Sequence, residues 1–302
     1  MSTTLVCLIG NARGSDIAWQ SLVDMVLTPL NADLALMFGK KNSCDFLESI
    51  AKHNWNFDEP TDWGDIYDKI CSEEQIPNTW RESARKTSYE GLWGGVYLAD
   101  SLQIGSGAIA FILRHMLLQH IDCMKNYDTI IVTRSDHLYL AEHDAFTCPV
   151  ANSIYVPTGE DWWGITDRHY VFASSEAYNV LDVAKWLMLN HVKVSHDIKR
   201  HHNPEQVLKM YYENIGMYNK IVRCKRCMVT VATSYDQTRW KNAIVKVPGY
   251  ENLFLKYPHE YFSHLPVKLR KRKADNVSLP SRPFDTTGKI FLMKGLRVNN
   301  LR

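Results

Sequence analysis

The chain has 302 residues, with 35 Lys+Arg against 33 Asp+Glu for a formal net charge of +2, and 45% of its residues are hydrophobic. The length allows about two domains or one large α/β unit; the apolar share excludes disorder as the main state, and the balanced charge excludes a bulk nucleic-acid coat. Seven cysteines, an odd number scattered from Cys7 to Cys227, suit reduced thiols in a cytoplasmic compartment better than a disulfide framework. No stretch reaches the ~18 apolar residues of a membrane span. The nearest, Ala108 to Leu118, is broken by Arg114 and His115, and the first residues lack the basic start of a secretory signal.

Thr4 to Ile9 reads as a buried strand that ends in the turn Gly10-Asn11-Ala12-Arg13-Gly14. Apolar residues at helical spacing then run from Ile17 to Leu27, with Pro29 expected to stop the helix and Asn31 to break the chain. Asp33 to Phe38 is a second strand, so the start has the strand–turn–helix–strand order of a parallel sheet. Residues 39–95 hold Trp55, Trp63, Trp80 and Trp93 with helix-like pieces near 66–74 and 79–86, and read as an insertion between sheet strands. Ile104-Gly105-Ser106-Gly107 opens a broad-faced apolar helix to about Lys125. Asp128 to Thr133 is the clearest strand, β-branched throughout and expected to be central. Ser153–Val156 is a further strand, and Ile165–Phe172 leads to a helix that Ser175 would cap. Asn203-Pro204-Glu205 opens another helix, residues 219–233 look like strand, and 266–302 is a tail with the basic run Lys268–Lys273.

Two stretches carry chemistry. The central strand delivers Arg134-Ser135-Asp136 at its carboxyl end, the edge where open α/β sheets bind ligands. Asp136 can hold a divalent cation through oxygen, and Arg134, on the same side if the chain stays extended, can pair with it or with a phosphate. A strand-end ion pair would account for the same residues. The second stretch is Glu160-Asp161-Trp162-Trp163-Gly164-Ile165-Thr166-Asp167-Arg168-His169. Indoles stack on sugar faces and carboxylates grip hydroxyls, whereas a hydrophobic corner beside solvated charges is the plain alternative. Arg13 and Gly10 sit in the first β–α turn, where phosphates meet backbone N–H groups, and Ser106 is either a ligand group or an N-cap. Cys224-Lys225-Arg226-Cys227 lacks a second ligand pair and reads as two ordinary thiols. His191, His196, His201 and His202 read mostly as helix-end residues.

The order Tyr127-Asp128, strand, Thr133-Arg134-Ser135-Asp136-His137, then Asp161-Trp162-Trp163-Gly164-Ile165-Thr166-Asp167-Arg168-His169 and Ala173-Ser174-Ser175-Glu176 resembles glycosyltransferases of the GT-A fold, most of all the group encoded by large algal viruses, algae and bacteria. The Gly10–Gly14 turn, Asn31-Ala32-Asp33, Thr238-Arg239-Trp240 and Leu255 to Tyr261 add islands of the same resemblance. It implies a nucleotide-sugar donor, UDP-linked above all, with Mn²⁺ or Mg²⁺. Position 134 is Arg where the usual D-x-D motif has an acid, so the two-carboxylate metal grip is absent.

The expectation is therefore an α/β, GT-A-like chain with a Rossmann-like, mainly parallel central sheet flanked by helices and a helical acceptor-side portion. A nucleotide-sugar-binding half would span 1–136, an acceptor-side half 137–265 and a basic tail 266–302. Gly10, Arg13, Ser106, Arg134 and Asp136 would hold the donor, with Asp136 on the metal. Arg134 would stabilise the leaving diphosphate, Asp161 or Asp167 would serve as base, and Glu160, Trp162, Trp163 and Arg168 would hold a glycan acceptor. The alternative is a non-catalytic glycan- or nucleotide-binding module derived from a transferase.

Overall fold

The computed structural model describes residues 3–42, 44–86, 91–143, 152–198, 203–236 and 245–264. Cys148, His201, His202, Thr238-Arg239-Trp240 and the basic run Lys268–Lys273 of the tail lie outside the described residues. Among the described residues thirteen strands are formed: β1 (Thr4–Gly10), β2 (Asp33–Phe38), β3 (His53–Asn54), β4 (Tyr97–Leu98), β5 (Ser101–Leu102), β6 (Thr129–Thr133), β7 (His137–Tyr139), β8 (Ile154–Pro157), β9 (Tyr170–Ala173), β10 (Ile221–Cys224), β11 (Met228–Thr233), β12 (Val245–Lys246) and β13 (Leu253–Leu255). They divide between two compact units that interleave along the chain. Unit 1 comprises Met1–Ala12, Val23–Ser135 and Glu142–Cys227; unit 2 comprises Arg13–Leu22, Asp136–Ala141 and Met228–Arg302. Residue 136, where the sequence suggests a division, lies at one of these crossings, and the chain crosses at several others.

Unit 1 is α/β. Its seven-stranded sheet has the order β10-β8-β9-β6-β1-β2-β3. β9 runs against both its neighbours, and every other pairing in the sheet is parallel. β6 lies in the interior with all five residues buried, as an unbroken β-branched run requires when neither face meets water. Alternate residues Leu5, Cys7 and Ile9 of β1 face one core, while Val6 and Leu8 are equally buried on the other face. The helix Gly107–Leu117 packs on β1, and the helix Asp45–Ile50 packs on β2. The helix Val183–Asp197 packs on the helices Gly64–Glu73, Trp80–Lys86, Gly107–Leu117 and Pro204–Asn214. Among the described residues no helix is long and apolar enough to cross a membrane.

Several expectations need correction. Pro29 does not stop the first helix, which passes from Asp16–Leu22 through a π-helical stretch Val23–Leu27 to Thr28–Leu30. Proline has no N–H to donate one turn back, so the ladder widens there, and left-handed Asn31 (φ +46°) ends it. The segment 39–95 is more than an insertion, because its β3 extends the sheet beside β2. Ser175 is no cap: Ser174–Glu176 is a 3₁₀ turn, and buried Glu176 there accepts from Asn152 N–H and Asn179 Nδ2. Asn203 does cap its helix, accepting Gln206 N–H at 2.9 Å. The strand-like run 219–233 is two strands of different sheets, parted where charged Lys225 and Arg226 interrupt the apolar pattern.

Unit 2 carries the antiparallel sheet β12-β13-β11-β7. Its core gathers Ala18, Leu138, Val229, Val231, Val247, Leu253 and Leu255, with the helix Asp16–Leu22 against β7.

Candidate active site at the carboxyl edge of the sheet

β1 and β6 are parallel neighbours, in register from Thr4 with Thr129 to Leu8 with Thr133, so both end at one edge of the unit 1 sheet. Gly10 leaves β1 at φ +111° and borders open space, a conformation that side chains other than glycine's rarely adopt. Ser135 Oγ donates to the Asn11 carbonyl at 2.6 Å and ties the two strand exits together, with half-buried Arg134 beside it. From the end of β6, Thr133 Oγ1 contacts His169 Nδ1 at 2.9 Å, and His169 Nε2 contacts His143 Nε2 at 2.9 Å. All three side chains are buried. Two facing ring nitrogens share one proton, so one imidazole donates while the other accepts.

β8 ends and β9 begins at this same edge, because the two are antiparallel. The connecting loop holds the tryptophans and acids. Glu160 and Arg168 form an ion pair inside it, their side chains only 3% and 5% exposed. Asp161 Oδ1 accepts Thr166 N–H at 3.0 Å and Arg223 Nη1 at 2.8 Å. Arg226, itself buried, donates to the carbonyls of Thr158 and Gly159, each at 3.0 Å. On the other side Asn203 Nδ2 donates to the Trp162 carbonyl at 3.1 Å, and Ile165 N–H to the Glu205 carbonyl at 3.0 Å. Gly164 passes so close to the helix Pro204–Asn214 that an added Cβ would lie 1.9 Å from the Glu205 oxygen. The loop is thus clamped by side chains on both flanks, with Trp162 and Trp163 held at φ +41° and +66°.

Arg114 is what the sequence reading missed. It projects from the helix Gly107–Leu117 and is 1% exposed. Its Nη2 donates to the Asp167 carbonyl at 2.5 Å, and its guanidinium lies 4.5 Å from the centre of the Tyr170 ring. Its Nη1 is buried without a hydrogen-bond partner, and no carboxylate among the described residues forms an ion pair with it. Burial pushes the Tyr170 hydroxyl up to about 12 although Arg114 pulls it down, so it stays neutral and donates to the Thr166 carbonyl at 2.6 Å. A buried cation without a counter-ion is costly, and an anionic or hydroxyl-rich ligand would offset that cost. The signal was available: Arg114 is the charge that breaks the longest apolar run.

No family model and no curated protein matches the chain. Among solved structures, mouse xyloside xylosyltransferase 1 in its apo form is similar over 74% of this chain and 84% of that one, at 12% identity and a TM-score of 0.40. At that level of similarity no conclusion rests on it.

The structure brings Gly10 and Arg134 together at the strand exits, and Arg114 to the backbone of Asp167. Ser106 is exposed at the N-cap position of its helix, its side chain making no capping bond, and its neighbour Gly107 bonds to Gly91. Glu160 and Arg168 are occupied with each other. Trp162 is half-buried and Trp163 is 68% exposed. The expectation that Arg134 and Asp136 share one side of an extended strand fails, because β6 ends at Thr133 and the chain turns through Ser135-Asp136. Arg13 and Asp136 belong to unit 2, where the Arg13 carbonyl accepts Trp19 Nε1 at 3.0 Å and the Asp136 carbonyl accepts Val231 N–H at 2.9 Å. Asp136 is 2% exposed. Among the described residues no group of three or more His, Cys, Asp or Glu is gathered as a metal ion requires. A cation at Asp136 would need further oxygen ligands, such as those of a donor diphosphate.

Proposed function

We propose that this protein is a glycosyltransferase that moves a sugar from a nucleoside diphosphate sugar, UDP-linked above all, to a hydroxyl of a glycan. The observation that carries the reading is buried Arg114, a cation with an unpartnered Nη1, held at the backbone of Asp167, which itself lies in the stretch that resembles the GT-A enzymes. Departure of a nucleoside diphosphate leaves negative charge where a carbon–oxygen bond breaks, and fixed donors aimed at that charge are the main catalytic need. Arg134 at the end of β6 is assigned to the diphosphate, with the Gly10 backbone admitting its close approach. Arg114 is assigned to the sugar or the charge that develops beside it. Asp161 has one oxygen occupied by Arg223 and Thr166, and Asp167 has one 3.9 Å from Arg168 Nε, so each is assigned its other oxygen for a sugar hydroxyl. Asp136 is retained as the candidate metal ligand on its place in the Arg134-Ser135-Asp136 motif, and a cation there would neutralise diphosphate charge.

The test is a thermal-shift screen of nucleoside diphosphates and their sugars with and without Mn²⁺, followed by donor hydrolysis. A ligand that binds only the folded state raises the melting temperature by mass action. A nucleotide-dependent shift with release of free sugar is expected. A shift without turnover would leave a binding module derived from a transferase, and no shift with any nucleotide would overturn the reading.

A further inference from the structure

Two buried polar groups are left unsatisfied around Tyr170 in unit 1. Arg114 Nη1 has no hydrogen-bond partner, and neither has Thr166 Oγ1, whose residue is fully buried. Tyr170 joins their surroundings: its ring lies 4.5 Å from the Arg114 guanidinium, and its hydroxyl donates to the Thr166 carbonyl at 2.6 Å. Buried polar groups are nearly always partnered, and leaving one without a partner is costly. Charge is unbalanced at the same place. Arg168 has Glu160 and Arg223 has Asp161, but among the described residues no carboxylate pairs with Arg114. The Asp167 side chain stands 3.9 Å from Arg168 Nε and gives Arg114 only its backbone carbonyl. Burial keeps the hydroxyls of Tyr170 and Tyr212 neutral although Arg114 pulls both down, so no phenolate serves as counter-ion.

We propose that Arg114 receives the carboxylate of an acidic sugar, a hexuronate, with the Thr166 hydroxyl on its second oxygen. The proposal rests on the transferase reading and narrows its substrate class. A neutral sugar would offer Nη1 a hydroxyl, which makes the bond and leaves the charge buried; a carboxylate supplies both the acceptor and the counter-charge. Access points the same way. Arg114 is 1% exposed, so a ligand takes the place of the Asp167 carbonyl at Nη2. A hydroxyl is no better an acceptor than that carbonyl, whereas a bond between two charged groups is roughly twice as strong as a neutral one. One cation without a partner also matches a monoanion, and the multiply charged diphosphate is assigned to Arg134 at the strand exits.

The experiment measures, by calorimetry on the full chain, the binding of UDP, of UDP-glucose and UDP-galactose, and of UDP-glucuronate and UDP-galacturonate. A second arm without nucleotide compares trigalacturonate with neutral galactotriose. An acidic member should bind roughly tenfold or more tightly than its neutral counterpart in at least one arm; the first arm places the carboxylate on the donor, the second on the acceptor. Arg114→Met should bring the acidic sugar down to the affinity of the neutral one, Arg114→Lys should retain part of the preference, and Thr166→Val should reduce it. Equal binding of acidic and neutral sugars in both arms, or a preference that survives Arg114→Met, would overturn the proposal. So would a loss of plain UDP binding in Arg114→Met as large as the loss of UDP-glucuronate binding, because the diphosphate would then be the anion on the guanidinium. No response to UDP or to any UDP-sugar refutes the transferase reading, and the nucleotide-free arm then decides this proposal alone. Binding of UDP and its neutral sugars without an acidic preference in either arm refutes this proposal and leaves the transferase reading standing.

Discussion

Replacing Arg114 by methionine separates a ligand-binding cation from a structural one by the sign of the stability change. The substitution keeps most of the side-chain volume and removes the charge. Lost from the folded state are the charge-assisted hydrogen bond to the Asp167 carbonyl, worth roughly 1.5–3 kcal/mol, and the stacking over Tyr170, about 2 kcal/mol when desolvated. Relieved is the burial of a guanidinium that has no carboxylate partner, a penalty of several kcal/mol. The terms offset, so Arg114→Met should lie within about 1 kcal/mol of the parent or above it, as replacements of buried charges by apolar residues often do. In melting temperature that is a change of no more than ~2–4 °C for a unit of this size. Urea unfolding measures the stability, and thermal shift with nucleotide sugars measures binding in the same preparation. Preserved stability with loss of the nucleotide-sugar response, or of turnover, is expected. A loss above ~3 kcal/mol with ligand response intact would show that Arg114 only braces the Asp167 loop, and the active-site assignment would fall.

Arg168→Met should behave in the contrary manner, since it leaves Glu160 buried without its partner and should cost about 3–5 kcal/mol; adding Glu160→Gln should recover part of that loss, and additive losses would refute the pairing. Stability should also fall in mild acid. Burial holds the imidazoles of His53, His120 and His191 below their ordinary 6.5, with Lys52 also lowering His53 and His53 lowering His120. The unfolded chain then takes up protons that the folded chain refuses, so the contribution is full above about 6.5 and is lost as pH falls toward the lowered values. Urea midpoints at pH 7.5 and 5.5 check this, and His120→Phe, which keeps the stack on Trp55, should flatten the profile. Asp136→Asn should remove any Mn²⁺-dependent part of the nucleotide shift; an undiminished Mn²⁺ effect would take Asp136 off the metal. Because Asp136 is 2% exposed, the folded content of that variant must be checked by circular dichroism.

The strands of the sheet were legible wherever the pattern was unbroken. Thr129 to Thr133 could be placed in the interior from its β-branching alone, and the first β–α–β turn from its glycines. Elements whose limits depend on hydrogen bonds made elsewhere were not legible. Whether Pro29 stops a helix depends on which carbonyl the next N–H reaches, and whether Ser175 caps one depends on the 3₁₀ turn that displaces it. In the candidate site, single residues were found but not their partners. Glu160 and Arg168 both stood out as charges in an aromatic loop, yet nothing in their spacing said that they neutralise each other inside it. Arg114 and His143 escaped because they come from elements distant in sequence and meet Asp167 and His169 only after folding. Lone polar residues inside an apolar helix are the one sequence sign that would have led to Arg114.

The interleaving of the two units has a consequence for synthesis. β1 is made well before its neighbour β6, which arrives some 125 residues later together with Asp128, whose carboxylate accepts Thr3 N–H. β7 waits in its turn for β11, which begins at Met228. Non-local pairing of this kind is slow, and it leaves one edge of the apolar strand Thr4–Gly10 unpaired while the intervening residues are being made, a demand that nascent-chain chaperones meet. Neither unit is a contiguous stretch, so no single cut yields one of them whole. A ribosome-release series should therefore show protease resistance of β1 only after β6 has emerged, and of β7 only after β11.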